Sequence, residues 1–419
     1  MAASLRLPAE ARGSDAVPAF DMTLAICALA AVAASTWAAG RVAASGFPLG
    51  APDKRIGCVD GLRGYLALSV MLHHFVIWVQ DTRLGGGWQA PESNLLNQLG
   101  AGAVGLFFMT TGLVFYPRIL AGFRATGWPG VMIGRAYRIV PLVAFSVAVI
   151  AAIIFLRRGD LPGPDFGRAL LTWITAQGQP PLLGDSDAGR LNAYVLWSLK
   201  LEWLFYLLVL PMCALAMDVT RALRLPSWTV PAGLFAVSLA LQLAAGDTLS
   251  EGSLIRYLPL FAAGMGAWEL QALPANRRRL GAPGMALPAA IALAAGMVVA
   301  PTPYGASLPL FAFFFVCVAC GNSFGGLLTT RGALVLGECS FGIYILHGIV
   351  LDLFFTSSLG GLVPLVGLPL ALPALMVVVA LATPASFLLI ERPAMARGRV
   401  LARRLTGHAA KPRELEVAP

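Results

Sequence analysis

Long apolar runs separated by short polar loops dominate the chain. Blocks near 21–40, 61–80, 99–120, 137–156, 194–217, 229–245, 253–272, 284–301, 307–325, 335–355 and 370–390 lie close to the ~20 residues that cross bilayer hydrocarbon as a helix. Within hydrocarbon only helices and closed barrels satisfy every backbone polar group, and these runs lack the alternation of barrel strands. The pattern predicts an all-α, polytopic transmembrane helix bundle with eleven spans. A further apolar stretch at 166–177, FGRALLTWITAQ, is too short to span. It is expected on the surface or as a re-entrant helix. The block at 21–40 does not read as a secretory signal, because a polar lead with Glu10 and Asp15 precedes it. Internal repeats are not evident, and the polar ends 1–20 and 400–419 read as tails.

Composition agrees with the pattern. Of 419 residues 58% are hydrophobic and 12% charged, about half the charge of a soluble domain, and mean hydropathy is +0.76. The net charge is +9. Its basic residues are scattered between spans, which fits positive-inside loops and argues against nucleic acid as a partner. Six Cys stand at 27, 58, 213, 317, 320 and 339, mostly in apolar runs where Cys serves as a small hydrophobe. Cys317 and Cys320 have CxxC spacing in FAFFFVCVACG with no second pair, so no metal site is read from them.

Loop charge sets the expected topology. Arg124 and Arg135, Arg221 and Arg224, Arg277 to Arg279, Arg331 and the Arg-rich C-terminal tail alternate with loops 246–252, 302–306 and 356–369, which hold no Lys or Arg. The rich set, including Lys54 and Arg55, is placed in the cytoplasm together with the C-terminus. Arg157 and Arg158 resist this scheme, since they fall on the expected outer side at the start of the longest outer loop, 157–193.

Ionisable groups within spans are costly and are functional candidates by default. In CVDGLRGYLALSVMLHHFVIWV, Arg63 and His74 are eleven residues apart. That spacing returns to within about 20° of one helix face, with about 16 Å between them along the axis. An entrance cation and a deep imidazole suit an elongated anionic substrate, with His74 as general base; a histidine bonded between helices is the alternative. His73 lies on another face. In GRAYRIVP, Arg135 and Arg138 share a face at the cytoplasmic end, either as phosphate-binding guanidiniums or as ordinary positive-inside charge. In YVLWSLKLEWLFYLLVLP, Glu202 is expected at the depth of His74, to orient the imidazole, to bind a hydroxyl substrate, or to pair with Lys200 or an Arg. Trp197 in the same segment suits an interfacial belt. In LGECSFGIYILHGIVLD, Ser340, Tyr344 and His347 share one stripe, favouring the lining of a polar cavity over a Ser–His nucleophile pair.

Taken in order, DGLRGYLALSVMLHH, GAVGLFFMTTGLVF, RAYRIVP, WSLKLEWLFY, RYLPLFAAGMGAWE, LGECSFGIYILHG and IERPA resemble the membrane acyltransferase type 3 family, the bacterial O-acyltransferases of surface polysaccharides and related acceptors. The resemblance runs from about residue 55 to 393. It implies a ten-helix core that takes an acyl group from cytoplasmic acyl-CoA, acetyl-CoA above all, to a hydroxyl of a carbohydrate or secondary metabolite. It maps His74 and Glu202 to catalysis and Arg63, Arg135 and Arg138 to acyl-CoA. Its WSL-x-x-E segment maps onto Trp197, Ser198 and Glu202; Trp197 and Ser198 are expected in the cavity lining beside the Ser340, Tyr344 and His347 stripe, with no bound cofactor and no metal. MTTGLVF departs from the usual LSGFL-type run, and an extra span precedes the core.

The expected organisation is a tail with one span at 1–54, an acyltransferase domain at 55–393 and a basic cytoplasmic tail at 394–419, all in the bacterial cytoplasmic (inner) membrane. An appended hydrolase-like domain is not expected after IERP. A multi-span transporter or flippase is the rival class, and an inactive envelope partner is the third.

Overall fold

The computed structural model describes residues 16–50, 56–250 and 252–405. Glu10, Asp15, Lys54, Arg55, Lys411 and Arg413, part of the charge argument, lie outside the described residues.

Among the described residues the chain is helix after helix, without a strand. The first four helices are long: α1 (Ala16–Ala44), α2 (Gly57–Arg83), α3 (Asn94–Ala121) and α4 (Trp128–Arg158). Then come α5 (Phe166–Ile174), α6 (Leu196–Leu204), α7 (Leu210–Ala222), α8 (Thr229–Ala245) and α9 (Leu254–Ala272). Next are α10 (Pro274–Leu280), α11 (Ala286–Val299), α12 (Leu308–Ala319) and α13 (Arg331–Glu338). The last four are α14 (Ser340–Phe355), α15 (Ser358–Leu362), α16 (Leu372–Ser386) and α17 (Arg392–Leu405).

Every apolar block read from the sequence is helical. Among the described residues six helices are long and apolar enough to cross a membrane alone: Asp21–Ala44, Gly57–Arg83, Asn94–Ala121, Trp128–Arg158, Leu196–Ala222 and Leu365–Leu405. Two bent pairs raise the number to as many as eight: Pro274–Leu280 with Pro283–Val299, at 62°, and Arg331–Glu338 with Ser340–Phe355, at 74°. The remaining blocks of the eleven are α8 and α12, which are shorter, and α9, which carries Arg256 and Glu269. The stretch at 166–177 forms α5, a nine-residue helix that buries only Ala169 and Trp173.

Local signals explain several ends. Ser93 caps α3 by accepting the Leu96 N–H, and Thr330 caps α13 by accepting that of Ala333. This satisfies donors that a helix start leaves unpaired. Gly159 closes α4 at φ 74°, where a Cβ would be strained.

The bundle centres on α2, which packs against α3, α13 and α14, while α3 packs along α9. Close helix approach in lipid relies on small residues. A Cβ on Gly264 would stand 1.9 Å from the Met109 carbonyl oxygen, and one on Gly112 2.2 Å from that of Phe261. Seventeen of the residues of α2 are buried, so this helix is an axis of the bundle rather than a lipid-facing rod. All six Cys are free and buried.

Arg157 and Arg158 are held locally. Arg157 donates to Asp352 at 2.6 Å and to Thr356 at 2.9 Å, and Arg158 donates to Asp160 at 2.8 Å.

Candidate active site

A cavity of about 600 Å³ opens among α2, α3, α4, α6 and the α13–α14 bend. Ligand pockets commonly have volumes of about 300–1,000 Å³. Arg63, Arg135, Arg138 and Glu202 all line it, whereas Lys200, Arg256, Glu269 and Asp352, which also lie in apolar runs, do not. The bend between α13 and α14 brings Glu338 from one arm and Ser340, Phe341 and Tyr344 from the other to the same wall.

The wall is not purely cationic. Asp60, Glu202 and Glu338 line it beside the three arginines. Arg63 lies 3.6 Å from Asp60. Arg138 lies 3.1 Å from the fully buried Glu391 carboxylate and also faces the ring of Phe341. Arg135 lies over the rings of Phe115 and Tyr206, at 5.0 and 5.7 Å, and Tyr206 donates to Glu202. Two π-helical turns, Phe205–Val209 and Phe387–Glu391, carry Tyr206 and Glu391. Such turns rotate side chains out of α-helical register and recur at functional sites. Here they aim a phenol and a carboxylate at the two α4 guanidiniums.

The cavity ends at Tyr344. Its hydroxyl shares a 2.7 Å hydrogen bond with Ser198 and also donates to the Val195 carbonyl at 3.3 Å, while its ring packs edge-on against Phe107. His347 lies beyond this floor, fully buried, with its ring 6.3 Å from that of Tyr344. His347 Nε2 and His74 Nδ1 are 3.0 Å apart, and the two rings stack at 5.0 Å.

The hydrogen bonds fix the tautomers of the pair. His347 Nδ1 is 3.0 Å from the Ile343 carbonyl, and a carbonyl can only accept, so Nδ1 carries the proton. Nε2 of His347 therefore accepts, and His74 Nδ1 donates to it. The lone pair of His74 is then on Nε2, the form a general base needs.

Four expectations require correction. First, Arg63 and His74 do not open onto one continuous passage: the Tyr344–Ser198 bond closes the cavity, and His74 sits one side-chain layer beyond it. Second, Glu202 is not at the depth of His74. The 188–194 segment dips until Asn192 abuts Gly348, where an added Cβ would be 2.4 Å from the Asn192 carbonyl carbon. Helix α6 thus starts near the level of His347, and Glu202 falls about 9 Å nearer the arginines, at 1.5 Å per residue over six residues. Third, His347 does not line the cavity; it backs His74. Fourth, Trp197 does not line it either. It is 40% exposed and packs on Tyr257 at 5.6 Å. Ser198, Ser340 and Tyr344 do line it. Lys200 is exposed. His73 donates from Nδ1 to the Leu96 carbonyl at 2.9 Å and lies against Gly100, tying α2 to α3.

Sequence reasoning missed Glu391 and the pairing of His347 with His74, and it read Tyr206 only as part of an interfacial belt. IERPA contains Glu391, and a carboxylate in an apolar run was itself the available signal. The His74–His347 contact spans 273 residues and leaves no local trace.

No curated protein and no solved structure matches the chain. A family model described as an acyltransferase domain matches residues 56–391, about four fifths of the 419 residues. That match spans every residue of the cavity lining except Met395, and both His74 and His347. The chain belongs to the membrane acyltransferase type 3 family.

Proposed function

We propose that this membrane acyltransferase moves an acyl group, acetyl by family resemblance, from acyl-CoA to a hydroxyl of a carbohydrate or related acceptor in the bacterial inner membrane. The observation that carries this reading is the tautomer-locked His74–His347 pair set one layer beyond an arginine-lined cavity.

Arg63, Arg135 and Arg138 hold the phosphates of the donor at the cytoplasmic end, where guanidinium forks suit phosphate oxygens. Glu202 accepts from the amide N–H groups of the pantetheine arm. The thioester reaches His74 when the Tyr344 side chain leaves Ser198. His74 Nε2 then takes the proton of the acceptor hydroxyl. The acceptor oxygen attacks the thioester carbonyl, the new C–O bond forms and the C–S bond breaks. The departing thiolate takes the proton back from His74 and leaves as CoA-SH. His347 holds the ring and its tautomer throughout.

The test is His74→Ala, assayed for acyl transfer in membranes. Transfer should fall by roughly 10²–10⁴-fold, the usual contribution of a positioned general base. Full activity at normal expression rejects the assignment. In the same assay Arg135→Ala or Arg138→Ala should chiefly raise the KM for acyl-CoA. Transfer without an ion gradient separates this reading from a transporter.

A further inference from the structure

The end of α2 opposite Arg63 carries a second cluster that the acyl-CoA cavity does not use. The ring of Trp88 lies nearly parallel to the half-buried His74 ring, 6.5 Å away at 19°. Trp88 also meets Tyr194 at 5.7 Å and Trp78 at 5.3 Å, both edge-on. Arg190 lies 4.4 Å over Trp78 and 5.9 Å over Trp88, and it pairs with Asp81. Tyr194 donates to Asp187.

Three features mark this cluster as more than packing. The 175–195 segment is irregular yet reaches the level of His347 through the Asn192–Gly348 contact. Irregular backbone at such depth is tolerated where protein buries it or where it lines a polar space. The segment is also strained: Ala176, Leu183, Ala193 and Tyr194 all have φ between 49° and 56°, and strain in non-glycine residues gathers at functional sites. Finally, Trp78 Nε1, Arg190 Nε, Asn192 Nδ2 and Gln80 Oε1 are buried without a hydrogen-bond partner among the described residues. Trp78 and Asn192 are themselves fully buried. Buried polar atoms normally find partners, and the orphans on Trp78, Arg190 and Asn192 belong to this cluster and the segment that supports it, which suits a ligand rich in hydroxyls.

We infer that this mouth is the acceptor site, and that it takes an uncharged hydroxylated ring, a neutral sugar, against Trp88 with one hydroxyl presented to His74. The aromatic face covers the apolar C–H side of such a ring, while the carboxylates and the orphan donors meet its hydroxyls. Charge at the cluster disfavours a phosphorylated acceptor head: Arg190 is matched by Asp81, Arg83 is turned to the Gly360 carbonyl, and Asp187 stands beside Tyr194. The inference rests on the acyl-transfer reading only for what happens to the bound hydroxyl; the sugar site stands on its own residues.

The experiment has two arms on the full chain in membranes. The first measures transfer to the acceptor those membranes contain, as acceptor and acyl-CoA are varied separately. Trp88→Ala should raise the acceptor KM about tenfold, the loss of one aromatic contact, and leave the acyl-CoA KM unchanged; Trp88→Phe should restore most of it. The second places a thiol in the mouth with Tyr194→Cys, which reports cleanly because the six native Cys are buried. A mixture of maltotetraose and chitotetraose should slow maleimide labelling of that thiol, and inorganic phosphate should not. Protection without acyl transfer in the wild type would support the sugar site and reject the acyltransferase mechanism. Transfer in the wild type with an unchanged acceptor KM in Trp88→Ala and no protection by either sugar would overturn the site. Protection by phosphate would overturn the neutral-acceptor assignment.

Discussion

At the scale of single residues, His74 depends on the ring behind it. A histidine in a span has no bulk water to set its tautomer, so its basic nitrogen is decided by its partner. His347 supplies that partner from α14, and the Ile343 carbonyl supplies the orientation of His347. His347→Ala is expected to cut the transfer rate roughly a hundredfold, within the range of general-base contributions, with little change in either KM. His347→Gln retains an acceptor within the side-chain amide and should recover part of the loss. Steady-state kinetics of both variants in membranes check this, and equal rates for wild type and His347→Ala would remove the pairing from the mechanism. The charges of the cavity were legible in the sequence for an energetic reason. Arg63, Arg138 and Glu202 are expensive in apolar runs and persist only where other polar groups or a cavity receive them. Glu391 belonged to the same class and carries the same signal.

At the scale of helices, the site is assembled by departures from regularity. The 74° bend between α13 and α14 turns Glu338 and Tyr344 to one wall. Periodicity along a single run predicts one straight span there. The π-turns at Phe205–Val209 and Phe387–Glu391 are equally silent in the pattern, since one extra residue in a turn leaves the apolar content unchanged. Helix approach supplies a sharp test. Gly264 faces the Met109 backbone at a distance no Cβ tolerates, whereas a Cβ on Gly266, two residues on, meets nothing within 4 Å. Gly264→Ala should destabilise the protein by about 1–3 kcal/mol, the usual cost of overpacking, and Gly266→Ala should be neutral. Thermal unfolding in detergent compares the two, and equal melting temperatures would contradict the α3–α9 packing.

At the scale of the whole molecule, two chemically distinct ends meet at one histidine pair. One end gathers arginines around a cavity; the other gathers aromatic rings and carboxylates. Tyr344 separates them, and the separation has a chemical purpose in the proposed reaction, because a floor keeps water from the thioester until the acceptor is in place. Tyr344→Ala removes the floor. It is expected to raise acyl-CoA hydrolysis in the absence of acceptor, followed as free thiol release, and to lower the share of acyl groups transferred. Unchanged hydrolysis would show that the tyrosine is not the barrier.

What the sequence determined by itself is what local physics enforces. Apolar runs near the length of a bilayer core made the helices, and their order of motifs matched the family over residues 56–391. The rarity of charge within those runs picked out Arg63, Arg138 and Glu202, which line the cavity, together with Lys200, Arg256 and Asp352, which do not. Only the tertiary structure decided which partner each of them meets. The contact of His347 with His74, the descent of Asn192 to Gly348 and the pairing of Glu391 with Arg138 join residues 273, 156 and 253 positions apart. Hydropathy and helical period describe one helix at a time. Depth and rotation relative to a neighbour come from glycine contacts, bends and π-turns, which packing selects across the bundle.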